Sequence, residues 1–240
     1  MKRNMLLAST STVFGSPYLS YLLDEIESLF AGVRQVLFIP YARPGGMTCD
    51  EYTAEARKVF LEMGKGLSGI HEHGNPEHSL MQAEAVFAGG GNTFVLLHSL
   101  LENGLMGLLR DKILSGMPYL GTSAGSNICG PGIKTTNDMP IVYPRSFEAL
   151  GVIPFNINPH YLDPVEGLEH MGETRETRIK EYLVFNDIPV LGMREGAWLR
   201  IRDGRISLSG NADSRWFEPG KTPVELPPGT LMYDAQKRVI

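Results

Sequence analysis

The pentapeptide Gly121-Thr122-Ser123-Ala124-Gly125 carries the residue in this chain whose chemistry is easiest to foresee. It follows the short apolar run at 118–120 and fits the Gly-x-Ser-x-Gly pattern of a serine held on a sharp strand-to-helix turn. Small neighbours are needed there because the backbone at such a serine is strained. A tight turn with an incidental serine fits the same pattern, so a nucleophile also requires a base and an acid nearby.

Six histidines are candidates for that base: His71, His73, His78, His98, His160 and His170. We favour His160, which follows a predicted strand and the stiff dipeptide at 158–159, although a hydrogen-bonded loop histidine is an equal alternative. His98 lies inside a predicted helix and is interpreted as a packing residue. His71 and His73 would share one face of a strand, but no third ligand is fixed and HExxH is absent, so we expect no metal.

An acid that could orient the base is Glu195, which comes just after the predicted strand 188–193. It would be a third polar side chain at the carboxyl ends of the strands, where an orienting carboxylate is needed. The alternative is a surface glutamate paired with its neighbour Arg194.

The run Gly89-Gly90-Gly91-Asn92 also lies between a predicted strand and a predicted helix. Glycines in this position allow backbone N–H groups to face a ligand. A phosphate loop is one interpretation, but GxGxxG fails because Phe94 stands where the third glycine belongs. The other interpretation is an oxyanion hole, in which the N–H of Gly91 acts together with that of Ala124.

A charged block, Gly172-Glu173-Thr174-Arg175-Glu176, opens a predicted helix. Local pattern favours an ordinary helical first turn, with Glu176 and Lys180 paired four residues apart. The functional interpretation is that the planar guanidinium of Arg175 binds a substrate carboxylate.

The elements that would position these residues are short apolar runs alternating with longer amphipathic segments. Strands are predicted at 5–8, 36–39, 67–71, 85–88, 118–120, 152–157 and 188–193, and helices at 17–30, 50–63, 92–101, 105–114 and 173–185. A hairpin is predicted over 197–208 and an irregular, proline-rich cap over 219–228. We therefore expect one α/β domain over residues 1–240, with a mostly parallel sheet and helices on both faces. Its ligand site should lie at the carboxyl ends of the strands.

The composition is that of an ordinary globular protein, with 240 residues, 42% hydrophobic and 20% charged. A net charge of −5 and the lack of a long basic run argue against nucleic-acid binding. No apolar stretch approaches the length of a membrane span or a signal-peptide core, so no membrane partner is expected. Cys49 and Cys129 match neither a disulfide framework nor a zinc motif, and we expect a cytoplasmic protein.

Several blocks, taken together in their order and spacing, resemble the peptidase E family, the α-aspartyl dipeptidases of serine peptidase family S51. The blocks are 89–93 (GGGNT), 121–127 (GTSAGSN), 135–140 (TTNDMP), 156–160 (NINPH), 172–176 (GETRE) and 195–198 (EGAW). The resemblance covers nearly the whole chain. It implies a flavodoxin-like α/β sandwich similar to class I glutamine amidotransferases, with a C-terminal hairpin region.

The resemblance further implies hydrolysis of dipeptides, and of some longer or derivatised substrates, that begin with aspartate. Carried over by motif, Ser123 is the nucleophile, His160 the base and Glu195 the acid, while Gly91 and Ala124 form the oxyanion hole. No cofactor or metal is implied. The expected partners are small peptides, and the chain is expected to be a monomer or homodimer.

Substrate contacts are implied as well. Arg175 is expected to bind the aspartate side chain, and Asn92 and Asp138 to line the site, with Asp138 as a partner for the substrate amine. The loop-like segment 161–171 is expected to influence access.

Three alternatives stay open at this stage. One is a cyanophycinase-like enzyme acting on β-linked aspartyl polymers, and another is a non-catalytic protein that binds acidic peptides. The third concerns the acid: α/β-hydrolases order their triad as serine, acid, histidine, and Asp138 with His160 would restore that order.

Overall fold

The computed structural model describes residues 3–164, 172–234 and 237–238. These residues form strands and helices that alternate through most of the chain. The strands are β1 (Asn4–Ala8), β2 (Gln35–Ile39), β3 (Gly66–Gly69), β4 (Val86–Ala88), β5 (Tyr119–Thr122), β6 (Asn156–Pro159), β7 (Val190–Met193), β8 (Ala197–Arg202), β9 (Arg205–Gly210), β10 (Ser214–Phe217), β11 (Val224–Leu226), β12 (Leu231–Asp234) and β13 (Lys237–Arg238). The α-helices are α1 (Leu23–Leu29), α2 (Cys49–Glu62), α3 (Pro76–Gln82), α4 (Thr93–Glu102), α5 (Leu105–Ser115), α6 (Ala124–Asn127) and α7 (Arg175–Phe185).

A large sheet runs through the molecule in the order β13-β12-β9-β8-β1-β5-β4-β2-β3. Five neighbouring strands pair in parallel, in the order β1, β5, β4, β2 and β3. On the other side of β1, the strands β8, β9, β12 and β13 extend the sheet with antiparallel pairs. β1 lies at the change of direction, so Ala8 is paired with Thr122 on one side and Trp198 on the other. The predicted α/β fold and the predicted hairpin are confirmed.

Helices cover both faces of the parallel part because successive strand side chains point to opposite sides. In β1, the side chain of Leu6 lies on the face of the sheet that α1 and α2 cover, and that of Leu7 lies on the face that α3, α4 and α5 cover. Both side chains are fully buried, and burial of one such side chain stabilises the fold by about 1.5–3 kcal/mol.

A second, four-stranded sheet, in the order β11-β10-β7-β6, was not foreseen from the sequence. Its β6 and β7 run parallel, and Leu191 of β7 joins the core of the large sheet. On the opposite face, Val190 and Phe217 pack with Ile179 of α7. The polar residues that follow β6 and β7 therefore come from a different sheet than Ser123, which follows β5.

Two predicted elements near the N-terminal half are shorter than expected. The predicted helix 17–30 begins only at Ser20, because Leu19 takes a left-handed conformation with φ of 58°. It is divided into a 3-10 turn, Ser20–Leu22, and α1, and Leu22 at the division has a non-helical φ of −112°. The predicted strand 67–71 ends at Gly69, whose N–H is bound by the carboxylate of Glu72, and residues 70–72 form a 3-10 turn instead.

Two predictions in the C-terminal half are also corrected. The predicted strand 152–157 begins only at Asn156, since the N–H groups of Val152 and Ile153 bond to the carbonyl of Cys129 rather than to a strand. The stretch 219–228 is not wholly irregular, because β11 within it pairs with β10. Residues 161–164 have no regular structure, as expected for a loop, and 165–171 lie outside the described residues.

The described part of the chain contains no helix with both the length and the apolar character needed to cross a membrane.

Candidate active site

Ser123 occupies the predicted turn between β5 and α6, with φ of 51° and ψ of −109°. Gly121 and Gly125, on either side of Ser123, must be glycines because backbone atoms of other residues lie very close to their Cα atoms. A Cβ on Gly121 would lie 2.6 Å from the carbonyl oxygen of Gly125, and one on Gly125 would lie 2.2 Å from that of Ala88. The Gly-x-Ser-x-Gly pattern therefore supplies the small residues that this strained turn requires. The turn leaves the serine side chain partly exposed. The following helix, α6, is only four residues long.

His160 lies directly after β6 and reaches the serine. Its Nε2 is 2.9 Å from Ser123 Oγ, and its Nδ1 is 2.7 Å from Glu195 Oε1. When Nδ1–H donates to the carboxylate, Nε2 carries a lone pair and accepts from the serine hydroxyl. The structure thus brings the three predicted residues into one hydrogen-bonded line.

Glu195 is held in a turn that starts after β7. The N–H of Ala197 donates to the carbonyl of Arg194, and Gly196 takes the left-handed conformation with φ of 84°. Arg194 does not pair with Glu195, because its guanidinium bonds to Asp163 and Glu225, each at 2.7 Å.

The rival acid, Asp138, does not bond to His160. Its Oδ2 accepts from the N–H of Thr93 at 2.7 Å and from the hydroxyl of Thr136 at 2.9 Å. The order serine, acid, histidine is therefore not the one this site displays.

The glycine-rich loop after β4 lies against the nucleophile, since a Cβ on Gly90 would be 3.0 Å from the Cβ of Ser123. Most of its backbone donors are already used. The N–H groups of Gly89, Gly90, Asn92 and Thr93 donate to Ile39 O, Tyr52 Oη, Ala42 O and Asp138 Oδ2. Within the described residues, the N–H groups of Gly91 and Ala124 have no acceptor. These are the two donors predicted to form the oxyanion hole.

Tyr52 is a residue of this site that sequence reasoning missed. It lies on α2, is fully buried, and accepts the N–H of Gly90 at 2.9 Å through its hydroxyl oxygen. The guanidinium of Arg43 lies 4.4 Å from the centre of its ring. Burial raises the pKa of the Tyr52 hydroxyl, which therefore stays neutral near pH 7. A tyrosine on the buried face of a helix gives no local signal of such a contact.

Arg175 opens α7, behind an N-cap formed by Thr174. Its Nη1 is buried and has no hydrogen-bond partner among the described residues. Burial lowers the pKa of the guanidinium, and the positive charge of Arg178 lowers it further, while Asp138 and Glu195 act in the opposite direction. The predicted ion pair of the same helical turn also forms, with Lys180 Nζ 2.6 Å from the carboxylate of Glu176. Arg175 is thus a partly buried cation with an unused donor.

A cavity of about 150 Å³ lies beside Arg175 and is also lined by Thr136, Asp138 and Asn158. The Oδ1 atom of Asp138 accepts no hydrogen bond from the described residues. Three basic side chains, Arg175 among them, and the carboxylate of Asp138 therefore line one small space, an arrangement suited to a ligand that carries both charges.

Asn92 is engaged within the protein. Its Oδ1 accepts from the N–H of Val95 and caps α4, and its Nδ2 donates to the carbonyl of Met139 at 2.9 Å. The expectation that Asn92 contacts substrate stays a prediction.

The other histidines that the structure describes lie elsewhere. His71 bonds to Asp50 at 2.8 Å, and its neighbour Glu72 is bound by both oxygens to Arg57. Because the strand ends at Gly69, His71 and His73 do not alternate along one strand face. His98 is part of α4, as expected, and His170 lies outside the described residues.

The fold and the site together define an α/β protein with a hydrogen-bonded serine, imidazole and carboxylate at the carboxyl ends of its strands. The model of peptidase family S51 matches residues 5–209. The chain belongs to peptidase family S51 and is a peptidase.

Relatives of nearly equal length support this assignment. The chain is 48% identical to "Peptidase E" of Streptomyces coelicolor over 95% of its own length and 92% of the relative's. It is 45% identical to "Probable alpha-aspartyl dipeptidase" of Drosophila melanogaster, over 94% of both chains.

Solved structures show the same fold. A putative peptidase E from Listeria monocytogenes superposes with a TM-score of 0.67 at 21% identity, covering 88% of this chain and 100% of the other. A peptidase from an acI-B1 actinobacterium gives 0.73 at 18% identity, covering 97% of both.

Proposed function

We propose that this peptidase is a serine-type dipeptidase that hydrolyses peptides beginning with aspartate. The observation that carries the proposal is the line from Ser123 Oγ through His160 to Glu195, with contacts of 2.9 and 2.7 Å. The relatives described above, a peptidase E and a probable α-aspartyl dipeptidase, support the same substrate class.

In the proposed reaction, Ser123 attacks the carbonyl carbon of the N-terminal residue while His160 takes the hydroxyl proton. The C–N bond of the tetrahedral intermediate then breaks, and His160 delivers that proton to the leaving amine. Water repeats the sequence on the acyl-enzyme and releases the first amino acid. Glu195 keeps the imidazole oriented and stabilises its charged form.

The oxyanion of each tetrahedral intermediate is placed at the free N–H groups of Gly91 and Ala124. Both groups are presented by backbone already fixed in position, so little reorganisation is needed when the charge develops. Loss of one such donor typically costs about 3 kcal/mol of transition-state stabilisation.

Selection of aspartate is assigned to Arg175, which lines the small cavity and has an unused buried donor. A carboxylate there would satisfy the guanidinium and offset the cost of its burial. The free oxygen of Asp138 is assigned to the substrate's α-ammonium group. Aspartate at an N-terminus carries both charges, whereas an internal aspartate lacks the ammonium.

The test compares hydrolysis of Asp-Leu, Ala-Leu, Glu-Leu and β-aspartyl-arginine under identical conditions. The proposal expects Asp-Leu to be cleaved with the highest kcat/KM, with at least a tenfold advantage. Equal rates on the three α-linked dipeptides would refute the specificity. Preference for β-aspartyl-arginine would assign the chain to the β-aspartyl alternative, and no turnover together with tight Asp-Leu binding would favour a non-catalytic binder.

We also propose that the enzyme acts in the cytoplasm. Cys49 and Cys129 are both free thiols, which suits a reducing compartment. Fractionation of cells that produce the native protein checks this, and recovery of the active enzyme outside the cytoplasm would contradict it.

A further inference from the structure

The end of β1 contacts every segment that carries a member of the Ser123-His160-Glu195 line. The carbonyl of Ala8 accepts the N–H of Ser123 at 3.1 Å. The next residue, Ser9, is fully buried, and its N–H donates to the carbonyl of Ala197 just after Glu195.

The hydroxyl of Ser9 makes the two remaining links. It donates to the carbonyl of Met193 at 2.7 Å and accepts the backbone N–H of His160 at 2.9 Å. The Ser9 hydroxyl therefore bonds directly to the backbone N–H of His160. Its bond to Met193, together with the bond from the backbone N–H of Ser9 to Ala197, brackets the turn that carries Glu195. A hydroxyl can do both because it is a donor and an acceptor at once.

These contacts matter because the catalytic line crosses two sheets. Ser123 follows a strand of the large sheet, while His160 and Glu195 follow β6 and β7 of the small one. The 2.9 Å contact between imidazole and serine thus depends on how the two sheets are held together at this edge. In addition, His160 takes a left-handed conformation with φ of 52°, which is uncommon for a residue other than glycine.

We propose that Ser9 is a positioning residue of the reaction: its hydroxyl holds the backbone of His160 and the Glu195 turn in register with Ser123. The inference rests on the proposed function. In this role Ser9 does not contact the substrate. It aligns the residues that do.

The test is Ser9→Ala, with Ser214→Ala as its matched control. Ser214 is also fully buried, pairs with Met193 across β10 and β7, and its hydroxyl has no hydrogen-bond partner among the described residues. Ser9→Ala is expected to lower kcat on Asp-Leu by roughly 10- to 100-fold, since a misplacement of about 1 Å can cost that much. KM should stay within about twofold, because Ser9 does not touch substrate. Ser214→Ala should keep nearly the wild-type kcat.

A spectroscopic readout separates alignment from general stability. The imidazole proton shared by His160 and Glu195 is expected to give a far-downfield proton resonance in the wild type and in Ser214→Ala, and to weaken or vanish in Ser9→Ala. If Ser9→Ala does not fold, Ser9→Cys, whose thiol is somewhat larger than the hydroxyl and hydrogen-bonds only weakly, replaces it and should also lose kcat.

A folded Ser9→Ala or Ser9→Cys with wild-type kcat and an unchanged resonance would overturn the inference, as would an equal loss in Ser214→Ala. If the wild type itself does not cleave Asp-Leu, the proposed function fails; the resonance still reports whether Ser9 aligns the two side chains.

Discussion

The carboxylate of Glu195 lies 2.7 Å from Nδ1 of His160, although the two residues follow different strands and are 35 positions apart. Both side chains are partly exposed, at 44% and 35% respectively. A bound dipeptide would displace water from this contact, and a charge-assisted hydrogen bond strengthens as the local dielectric falls. The contact is therefore expected to matter more for turnover than for the stability of the free enzyme.

The first prediction follows from that contact. Glu195→Gln keeps the shape of the side chain but removes the charge that stabilises the imidazolium and fixes its tautomer. We expect kcat on Asp-Leu to fall by roughly 10³- to 10⁴-fold, the scale seen when a triad acid is neutralised. The unfolding midpoint should change little. Steady-state kinetics with thermal unfolding checks this, and a kcat within twofold of wild type would rule out the role given to Glu195.

The second prediction concerns substrate selection by Arg175. Arg175→Ala should lower kcat/KM on Asp-Leu by about 30-fold or more, because truncating one partner of a desolvated charge pair costs about 2–5 kcal/mol. Arg175→Lys should recover only part of it, since an ammonium lacks the planar fork. Arg178→Ala is the control: Arg178 lines the same cavity, but its side chain is 63% exposed. Equal losses of kcat/KM in Arg175→Ala and Arg178→Ala would show that the substrate responds only to the positive charge around the cavity and not to specific binding by Arg175.

The third prediction concerns the buried hydroxyl behind the glycine loop. Tyr52→Phe removes the acceptor of the Gly90 N–H and frees the loop that presents Gly91. We expect kcat to fall by about tenfold, less than the 10²- to 10³-fold typical of losing an oxyanion donor outright. Affinity for a peptide aldehyde, which forms a tetrahedral adduct, should fall in parallel while KM is retained. Unchanged aldehyde affinity would show that Tyr52 does not support the oxyanion hole.

The fourth prediction distinguishes serine from thiol chemistry. Cys129 is fully buried, and burial raises the pKa of its thiol. The pKa of the Cys49 thiol is also raised, mainly by burial and to a lesser extent by the negative charge of Asp50. Both therefore stay protonated near pH 7, and protonated thiols react slowly. Iodoacetamide should leave activity on Asp-Leu intact, while a small serine-reactive phosphonate should abolish it and label Ser123. Loss of activity in step with alkylation, prevented by substrate, would point to a catalytic cysteine instead.

The candidate site could be predicted because its polar residues each follow an apolar strand, and strand ends in an α/β sheet converge. That rule places His160 beside Glu195, because β6 and β7 are neighbouring parallel strands of one sheet. Ser123 follows a strand of the other sheet, so it was joined to them by the resemblance of the motifs to the peptidase E family. The order of the residues along the chain did not decide whether Asp138 or Glu195 is the acid that orients His160. The choice depends on Asp138 being held by Thr93 and Thr136, which no local pattern reveals.

The supporting contacts could not be predicted. Ser9 and His160 are 151 positions apart, and Tyr52 and Gly90 are 38 apart, so their hydrogen bonds exist only once the sheets are assembled. The second sheet was missed for a related reason. β6 and β7 overlap predicted strands, but a strand pattern alone does not say which sheet a strand joins. Their partners β10 and β11, four and three residues long, were not predicted as strands at all.

The central claim, that Ser123 is the nucleophile of an aspartyl dipeptidase, is tested most directly by the kcat of Ser123→Ala on Asp-Leu beside the wild type. The two proteins are compared at equal concentration, with matching circular dichroism spectra to show that the variant is folded. The account predicts a fall in kcat of at least about 10⁴-fold, because among the described residues Ser123 supplies the hydroxyl that bonds to the imidazole of His160. Turnover near that of the wild type by the folded variant would contradict it.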